Sequence, residues 1–147
     1  MSTIALRFET LSPIVVTTYS DELQEIAADQ PDEYWVLEHF LQELPEKWAL
    51  SFVVFLGKAM VGYAILSRRD RATVHLHHFM LRQDVRGSGF GDRMMDEVER
   101  RARDAGACIL SLKYRADNAR ISRFYQRRGL IPAGPQARYQ TMTKQLT

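Results

Sequence analysis

The sequence contains one cysteine, Cys108, so no disulfide can form within a single chain. A protein without disulfides is typical of a reducing compartment, and we expect the cytoplasm. Cys108 lies in a mainly apolar run, which predicts an inert core residue rather than a nucleophile. No apolar stretch approaches the roughly 18 residues of a membrane span, and the first residues lack the charged and then apolar order of a signal segment. We therefore expect no membrane partner.

Extremes of size and composition are also missing. The chain has 147 residues, and at about 100–200 residues per domain this length predicts one domain over residues 1–147. Its 46% hydrophobic and 26% charged residues are ordinary for a globular protein with a buried core. The sequence shows no repeat, low-complexity segment or linker.

The net charge of +2 is the balance of two regions of opposite sign. Residues 1–46 carry ten acidic side chains against one basic, a net charge of −9. Residues 82–128 carry twelve basic side chains against seven acidic, a net charge of +5. An anionic ligand on the basic region and a cationic ligand on the acidic region would suit this division. The alternative is that helix surfaces are simply charged.

Three glycines, Gly87, Gly89 and Gly91, alternate between an apolar run over residues 74–81 and a helical pattern over residues 90–105. Glycine permits unusual backbone dihedrals and close approach of a ligand. The first amides of a helix have no intrahelical acceptor and attract anions. The stretch therefore predicts a phosphate cradle, or alternatively a flexible loop that binds nothing. A Walker A loop would end in Gly-Lys-Ser/Thr and a dinucleotide loop would read Gly-x-Gly-x-x-Gly, and neither fits.

Hydrophobic periodicity predicts a mixed α/β chain. Strands are predicted over residues 4–8, 51–55, 61–67, 73–81, 108–114, 130–132 and 138–146. Helices are predicted over residues 21–28, 33–44, 90–105 and 119–128. On the third helix, Asp96 with Arg100 and Glu97 with Arg101 are spaced as ion pairs one turn apart.

A second motif lies downstream of the glycines. Residues 118–130 read Asn-Ala-Arg-Ile-Ser-Arg-Phe-Tyr-Gln-Arg-Arg-Gly-Leu, and Arg86, Gly89 and Gly91 fit Arg/Gln-x-x-Gly-x-Gly/Ala. Together they resemble the pyrophosphate loop and the second signature, Asn-x-x-Ala-x-x-Phe-Tyr-x-x-x-Gly-Phe, of the GNAT superfamily of N-acetyltransferases. Ile121 stands where Ala is usual, and Leu130 where Phe is usual. The resemblance covers residues 50–147 well and the first 48 residues poorly.

This resemblance implies a GNAT fold, with a mostly antiparallel sheet of six or seven strands, splayed at its centre and flanked by about four helices. It implies acetyl-CoA as cofactor, no metal, and direct transfer of the acetyl group to a primary amine. The residues that the resemblance assigns to the cofactor are Phe79, Met80, Leu81, Arg86, Gly87, Ser88, Gly89, Phe90, Gly91, Asp92, Asn118 and Tyr125.

The strand before the glycines contains three histidines and no glutamate. Strand alternation puts His75 and His77 on one face and His78 on the other. The first two are similar to the His-x-His of the arylalkylamine N-acetyltransferase branch, which implies a relay that takes a proton from the amine through water. An imidazole with a pKa near ~6.5 can accept a proton at neutral pH. Packed polar histidines are the alternative, and the base is His75, His77 or a water between them.

Tyr125 follows Asn118 by seven residues, at the position where the family has the tyrosine that protonates the leaving thiolate. The resemblance therefore implies that Tyr125 is the general acid, with core packing as the alternative. Asn118 is expected to reach the pantetheine arm, to cap the helix that follows it, or both.

The resemblance implies that the first helices shape the acceptor pocket, where Tyr34 and Trp35 are candidate lining residues or core aromatics. Regional charge favours a small cationic amine as acceptor. A protein or peptide amine is an alternative, because the ribosomal-protein-acetylating branch has a similar second signature. A further alternative is an acyl-CoA-binding module without turnover. Cofactor phosphates explain the arginines of residues 115–128 more simply than nucleic acid does. The acceptor's identity and the choice between monomer and homodimer stay open.

Overall fold

The computed structural model describes residues 5–30 and 35–147, and within them seven strands form a single sheet. The strands are β1 (Leu6–Thr10), β2 (Phe52–Leu56), β3 (Ala59–Arg68), β4 (Thr73–Leu81), β5 (Ile109–Arg115), β6 (Ile131–Gln136) and β7 (Tyr139–Gln145). Their order across the sheet is β1-β2-β3-β4-β5-β7-β6, so β1 and β6 are its edges. Among the described strands only β4 and β5 pair in parallel, and the predicted mixed, mostly antiparallel sheet is confirmed.

Six helices occur within the described ranges, two more than the sequence led us to expect. They are α1 (Pro13–Thr18), α2 (Ser20–Ala27), α3 (Leu37–Leu41), α4 (Lys47–Leu50), α5 (Phe90–Asp104) and α6 (Ala119–Arg127). Helices α5 and α6 pack on one side of the sheet, against Ala64, Leu66, Val74, Leu76, Leu110 and Leu112. Helices α1, α2 and α3 pack on the other side, against Val53, Phe55, Tyr63, Ile65 and Met80. We call these sides the α5 face and the α2 face.

The first fifty residues differ most from the sequence prediction. The helix predicted over residues 21–28 is confirmed as α2, but the one predicted over residues 33–44 is reduced to α3 within the described residues. Helices α1 and α4 were not predicted. Helix α1 starts where the Ser12 side chain accepts a hydrogen bond from the Val15 amide at 3.1 Å, with Pro13 in its first turn. Its β-branched residues hide this start signal, because they favour strands. Ile4, in the predicted first strand, lies outside the described residues.

Cys108 is exposed, so the prediction of a core cysteine is wrong. The residue precedes β5, and its amide donates a hydrogen bond to the carbonyl of Ala72 at 2.9 Å. Ala107 occupies the buried position beside it. Side chains of β5 begin to alternate between the two faces of the sheet only after Cys108. An apolar run in the sequence does not show where this alternation begins.

Of the two ion pairs predicted on α5, one is confirmed. Arg101 donates to Glu97 at 2.7 Å, whereas Asp96 accepts a hydrogen bond from Arg128 at 2.6 Å instead of pairing with Arg100. Arg128 also donates to Glu99 at 2.9 Å, and Glu99 is only 5% exposed. This cluster joins α5 to the end of α6.

Lys47 is a fully buried lysine that holds the segment between α3 and β2 in place. Its Nζ donates hydrogen bonds to the carbonyls of Phe40 and Gln42, both at 2.6 Å, and to that of His39 at 3.3 Å. Carbonyls at the end of a helix have no intrahelical donor, and the lysine supplies one. Burial lowers the pKa of Lys47 to about 8, so the side chain is still charged at pH 7.

Replacing this lysine should therefore destabilise the fold. Lys47→Met keeps the length of the side chain but leaves buried carbonyls without a donor, and we expect a loss of roughly 2–4 kcal/mol in the free energy of unfolding. Urea unfolding at pH 7 measures it. The matched control is Lys58→Met, in the exposed β2–β3 turn, which should change stability by no more than about 0.5 kcal/mol. Equal stabilities for the two variants would contradict the role given to Lys47.

Candidate active site

The centre of the sheet opens between β4 and β5. Their parallel pairing runs from Thr73 opposite Ile109 to Leu76 opposite Leu112, and stops there. Strand β4 continues for five more residues, 77–81, of which 78–81 pair with β3 and none pairs with β5. Backbone groups on the other side of this segment have no sheet partner, so they are available to a ligand that lies along the strand.

A β-bulge on β4 lies where the two strands part. Ile65 pairs with His78 and Leu66 pairs with Leu76, so His77 is the extra residue. A bulge bends its strand and changes where the following side chains point. The end of the β4–β5 ladder therefore coincides with a local change of direction in β4.

Because of the bulge, the prediction that His78 faces away from His77 is wrong. His77 Nε2 lies 2.6 Å from Ser67 Oγ, and His78 Nδ1 lies 2.7 Å from Tyr63 Oη. Tyr63 and Ser67 are four residues apart on β3 and share the α2 face by alternation. The two consecutive histidines therefore project to the same side of the sheet.

His75 and His77 form a pair on that side, as the sequence predicted. Their ring centroids are 4.7 Å apart. His75 is only 4% exposed, and its Nδ1 lies 2.7 Å from Ser111 Oγ on β5. His77 is half-buried and reaches the opening, whereas His75 lies behind it. Sequence reasoning missed both serines, because pairing between strands brings them to the histidines.

Burial dominates the electrostatics of this pair. It lowers the pKa of His75 to about 3 and that of His77 to about 4, and the positive charges of Arg69 and Lys113 add to the effect at both rings. Both imidazoles are therefore neutral at pH 7. A neutral imidazole can donate a hydrogen bond from one nitrogen and accept one at the other, which lets it orient a water molecule or pass on a proton.

Two adjoining cavities open from the gap between the strands. The first, which we call the histidine cavity, is lined by Gln30, Leu76, His77, His78, Phe79, Met80, Lys113, Tyr114, Arg115, Asn118, Ile121 and Tyr125. The second, the loop cleft, has a volume of about 290 Å³ and is lined by Gln30, Phe79, Met80, Leu81, Arg86, Gly87, Gly89, Gly91, Asp92, Arg120, Ile121, Phe124 and Arg127. Gln30, Phe79, Met80 and Ile121 line both, so the two cavities adjoin one another.

The loop cleft has the features of an anion site. Gly89 precedes α5 with a φ of +81°, and Arg93 donates the first intrahelical hydrogen bond, to the Gly89 carbonyl. The amides of residues 90–92 therefore have no acceptor within the helix. Arg86 is held over the cleft because its Nε donates to the Leu81 carbonyl at 2.9 Å. Burial, and then the charge of Arg120, lower the pKa of Arg86, as expected where cations converge.

Most of the residues predicted to hold the cofactor are brought together by this geometry. Eight of them line the loop cleft, from Phe79 through Asp92, and Asn118 and Tyr125 line the histidine cavity. Ser88 and Phe90 are not among the lining residues. Arg120 and Arg127 also line the cleft, and they belong to the arginines of residues 115–128 that the sequence led us to expect near cofactor phosphates.

Asn118 and Tyr125 flank the histidine cavity from α6. The Asn118 side chain accepts a hydrogen bond from the Ile121 amide at 3.1 Å, so it caps the helix. Tyr125 is buried, with its ring centroid 6.0 Å from that of Tyr114. A tyrosine here can hold a proton beside the gap between the strands.

The residues expected to line the acceptor pocket, and the acids expected beside it, do not line the histidine cavity in the described part of the chain. Trp35 stacks on His78 with ring centroids 4.9 Å apart, so it packs in the core of the α2 face, and Tyr34 lies outside the described residues. The acids Glu22, Glu25 and Asp29 line a separate groove with Asp84. No acidic residue of the described ranges lines the histidine cavity, whose charged lining residues are Lys113 and Arg115.

The low pKa values of the histidines predict a specific loss of stability in acid. Above about pH 6.5 both folded and unfolded chains hold them neutral. Below pH 6.5 the two histidines of the unfolded chain bind protons, whereas those of the folded chain bind them only near pH 3–4. The free energy of unfolding therefore decreases as the pH is lowered. In the double variant His75→Gln/His77→Gln, the free energy of unfolding, measured in urea from pH 7 to pH 4.5, should depend less on pH. The loss of stability between pH 7 and pH 5 should be smaller than in the wild type by roughly 1–2 kcal/mol per histidine. An unchanged slope would contradict the burial argument.

Comparisons with known proteins agree with this architecture. A family model described as Acetyltransferase (GNAT) family matches residues 14–130. A search of proteins with curated functions finds no significant match. Within the described ranges no helix is long and apolar enough to span a membrane, and no group of three potential metal ligands occurs.

Solved structures resemble the whole chain at low sequence identity. Ard1 from Thermoplasma volcanium gives a TM-score of 0.85 at 21% identity, covering 98% of this chain and 99% of that one. The ribosomal-protein-S18-alanine N-acetyltransferase from Escherichia coli gives 0.81 at 19%, covering 97% and 95%. PaiA N-acetyltransferase from Thermoplasma acidophilum, in complex with coenzyme A, gives 0.74 at 15%, covering 96% and 99%.

The structural likenesses show a shared fold, and the family model identifies the family. The split sheet, the glycine loop before α5 and the cationic cleft are features that suit a CoA thioester. Because the family match spans most of the chain, this protein belongs to the acetyltransferase (GNAT) family and is an acetyl-CoA-dependent N-acetyltransferase.

Proposed function

We propose that this enzyme acetylates the primary amine of a small molecule whose amino group enters the histidine cavity, which has a volume of about 50 Å³. The observation that supports this most directly is that two cavities adjoin one another. The loop cleft suits a long anionic cofactor, and the histidine cavity adjoins it at Phe79 and Met80. An acceptor amine and the cofactor can therefore meet at the bulge of β4 without movement of the sheet.

The loop cleft would hold acetyl-CoA by its phosphates and its extended arm. The amides at the start of α5, with Arg86, suit the pyrophosphate. The unpaired edge of β4 over residues 77–81 suits the amides of the pantetheine arm. Acetyl-CoA supplies the thioester whose carbonyl carbon the amine attacks. The protein's own groups have to deprotonate the amine and protonate the departing sulfur.

His77 and His75 are proposed to take part in deprotonation, as in the arylalkylamine N-acetyltransferase branch. His77 reaches the cavity, and His75 lies behind it at 4.7 Å between ring centroids. Since both imidazoles are neutral, His77 can accept a proton from the amine or from an intervening water while its other nitrogen contacts Ser67. Their low pKa values favour a relay that passes the proton on over a base that keeps it.

Tyr125 is proposed as the general acid. It lies on α6, packs with the core of the α5 face, and lines the same cavity as His77. A phenol with a pKa near ~10 can protonate a thiolate whose conjugate acid has a pKa near ~8.5, because the difference is small.

The second candidate acceptor is the amino group of a peptide or protein. Two of the similar structures are named for such acceptors, the ribosomal-protein-S18-alanine N-acetyltransferase and the NatC complex bound to Gag peptide. These names describe those proteins, and their identities to this chain are 19% and 12%. A role as an acyl-CoA-binding module without turnover is the remaining alternative.

A panel of acceptors distinguishes these functions. Small primary amines and short peptides with free N-termini would be incubated with acetyl-CoA, with release of free thiol followed by a colour reaction and the products by mass spectrometry. Higher kcat/KM for small amines would support the proposal. Faster turnover of peptides would favour the second candidate, and CoA binding without any acetylated product would favour a binding module.

Removing the proposed acid should slow the chemistry. Tyr125→Phe keeps the aromatic ring and removes the proton donor, so the single-turnover rate should fall by ~10²–10⁴ while CoA affinity stays the same. Single-turnover conditions prevent product release from hiding the defect. Tyr19→Phe, a half-buried tyrosine packed on Phe55 with ring centroids 5.2 Å apart, is the matched control. A rate within a few-fold of wild type would show that Tyr125 is not the acid.

Filling the glycine loop should abolish cofactor binding. Gly89→Glu places a side chain and a negative charge at a left-handed position beside the start of α5, and CoA binding by calorimetry should become undetectable. Gly57→Glu is the matched control, since Gly57 has a φ of +63° in the distant β2–β3 turn and equally open surroundings. It should bind CoA as wild type does. Binding by Gly89→Glu would mean that the cofactor lies elsewhere.

A further inference from the structure

The histidine cavity is electrostatically positive in the described part of the chain. Its charged lining residues there are Lys113 and Arg115, and no Asp or Glu of the described ranges joins them. Arg115 is 3.2 Å from Asp117, an ion pair that offsets part of its charge. Lys113 is therefore the lining cation whose charge is not offset by a carboxylate of the described residues.

Lys113 lies on the side of β5 that faces the histidines. Leu112 and Tyr114 on either side of it are buried on the α5 face, and alternation sends Lys113 to the α2 face with Ser111, the partner of His75. Ser111 and Lys113 are two residues apart on the strand, so their Cα atoms are about 7 Å apart. Lys113 is among the residues that line the histidine cavity beside this pair.

The ammonium of Lys113 is positioned but has no carboxylate partner among the described residues. Its Nζ lies 4.8 Å from the centre of the Tyr139 ring on β7, a cation–π contact on the side of β5 away from β4, so the exposed side chain has to exchange this contact for one with the acceptor. None of the ion pairs in the described part of the chain includes it. Its charge reaches both histidines, because it contributes to the lowered pKa of each.

We propose that Lys113 binds an anionic group of the acceptor, so that the preferred substrates are small primary amines that carry a carboxylate near the amino group. This inference rests on the proposed function. It replaces the cationic acceptor that regional charge suggested, because the acids that line a described groove, Glu22, Glu25 and Asp29, lie outside the histidine cavity. A cationic second group would instead enter a positive cavity.

Matched acceptor pairs test the proposal. β-Alanine and propylamine, and tyrosine and tyramine, differ by a carboxylate, while 1,3-diaminopropane offers a second cation. In the wild type, kcat/KM should favour the carboxylate member of each pair by about tenfold or more, as a charge-assisted hydrogen bond allows. Lys113→Met should remove the preference, and Lys113→Glu should reverse it towards the diamine.

A matched control and a second readout separate specificity from damage. Lys58→Glu makes the same charge reversal in the exposed β2–β3 turn and should keep the wild-type preference. Calorimetry should show equal CoA affinity in all variants. It should also show β-alanine binding to the enzyme–CoA complex of the wild type about tenfold more tightly than to that of Lys113→Glu.

The outcomes are distinguishable from failure of the proposed function. Acetylation of amines without a carboxylate preference in the wild type, or with the same preference in Lys113→Glu, would overturn the role of Lys113 alone. CoA binding without acetylation of any amine would overturn the proposed function and this inference with it.

Discussion

The early end of the pairing between β4 and β5 is the constraint on which the rest of this structure depends. Four residue pairs, from Thr73 to Leu76 on β4, hold the two halves of the sheet together. Beyond them the bulge at His77 turns β4 while β5 continues towards α6. One irregularity therefore creates an unpaired strand edge, opens a cavity and aims a histidine into it. A regular sheet would leave no unpaired edge at its centre, and a loop would not hold the histidine and the cavity in fixed positions.

Burial, more than any charged neighbour, sets the chemistry of the histidine pair. The serine on each side gives every ring a polar contact, so the pair can be buried without being charged. Burial, aided by the positive charges of Arg69 and Lys113, keeps the imidazoles neutral, and the same environment acts on an ammonium that enters the cavity. It favours loss of a proton from the acceptor, since a nearby positive charge lowers the pKa of a cationic acid. Deprotonation is then shared between the relay and the electrostatic environment.

Local signals explain which parts of the fold could be predicted from the sequence. Strand β4 matches its prediction at both ends, and α5 and α6 lie within a residue of theirs, because periodicity and capping are properties of neighbouring residues. The glycine loop could be predicted for the same reason. The side on which His78 lies could not, because a bulge is defined by register with β3. Likewise, the summed charge of residues 1–46 gave no indication that Glu22 and Glu25 line a groove away from the histidines.

The edge strand β6 has a consequence for how copies of this protein meet. Its sequence contains Pro132 and Pro135, which lack amide hydrogens, and Gly134 between them has a φ of +120°. Its register against β7 also shifts between Pro132 and Gly134. An incoming strand would find an interrupted row of donors on a bent template, which is how natural sheets discourage edge-to-edge growth. Pairing of β6 with the same edge of another copy is thereby disfavoured.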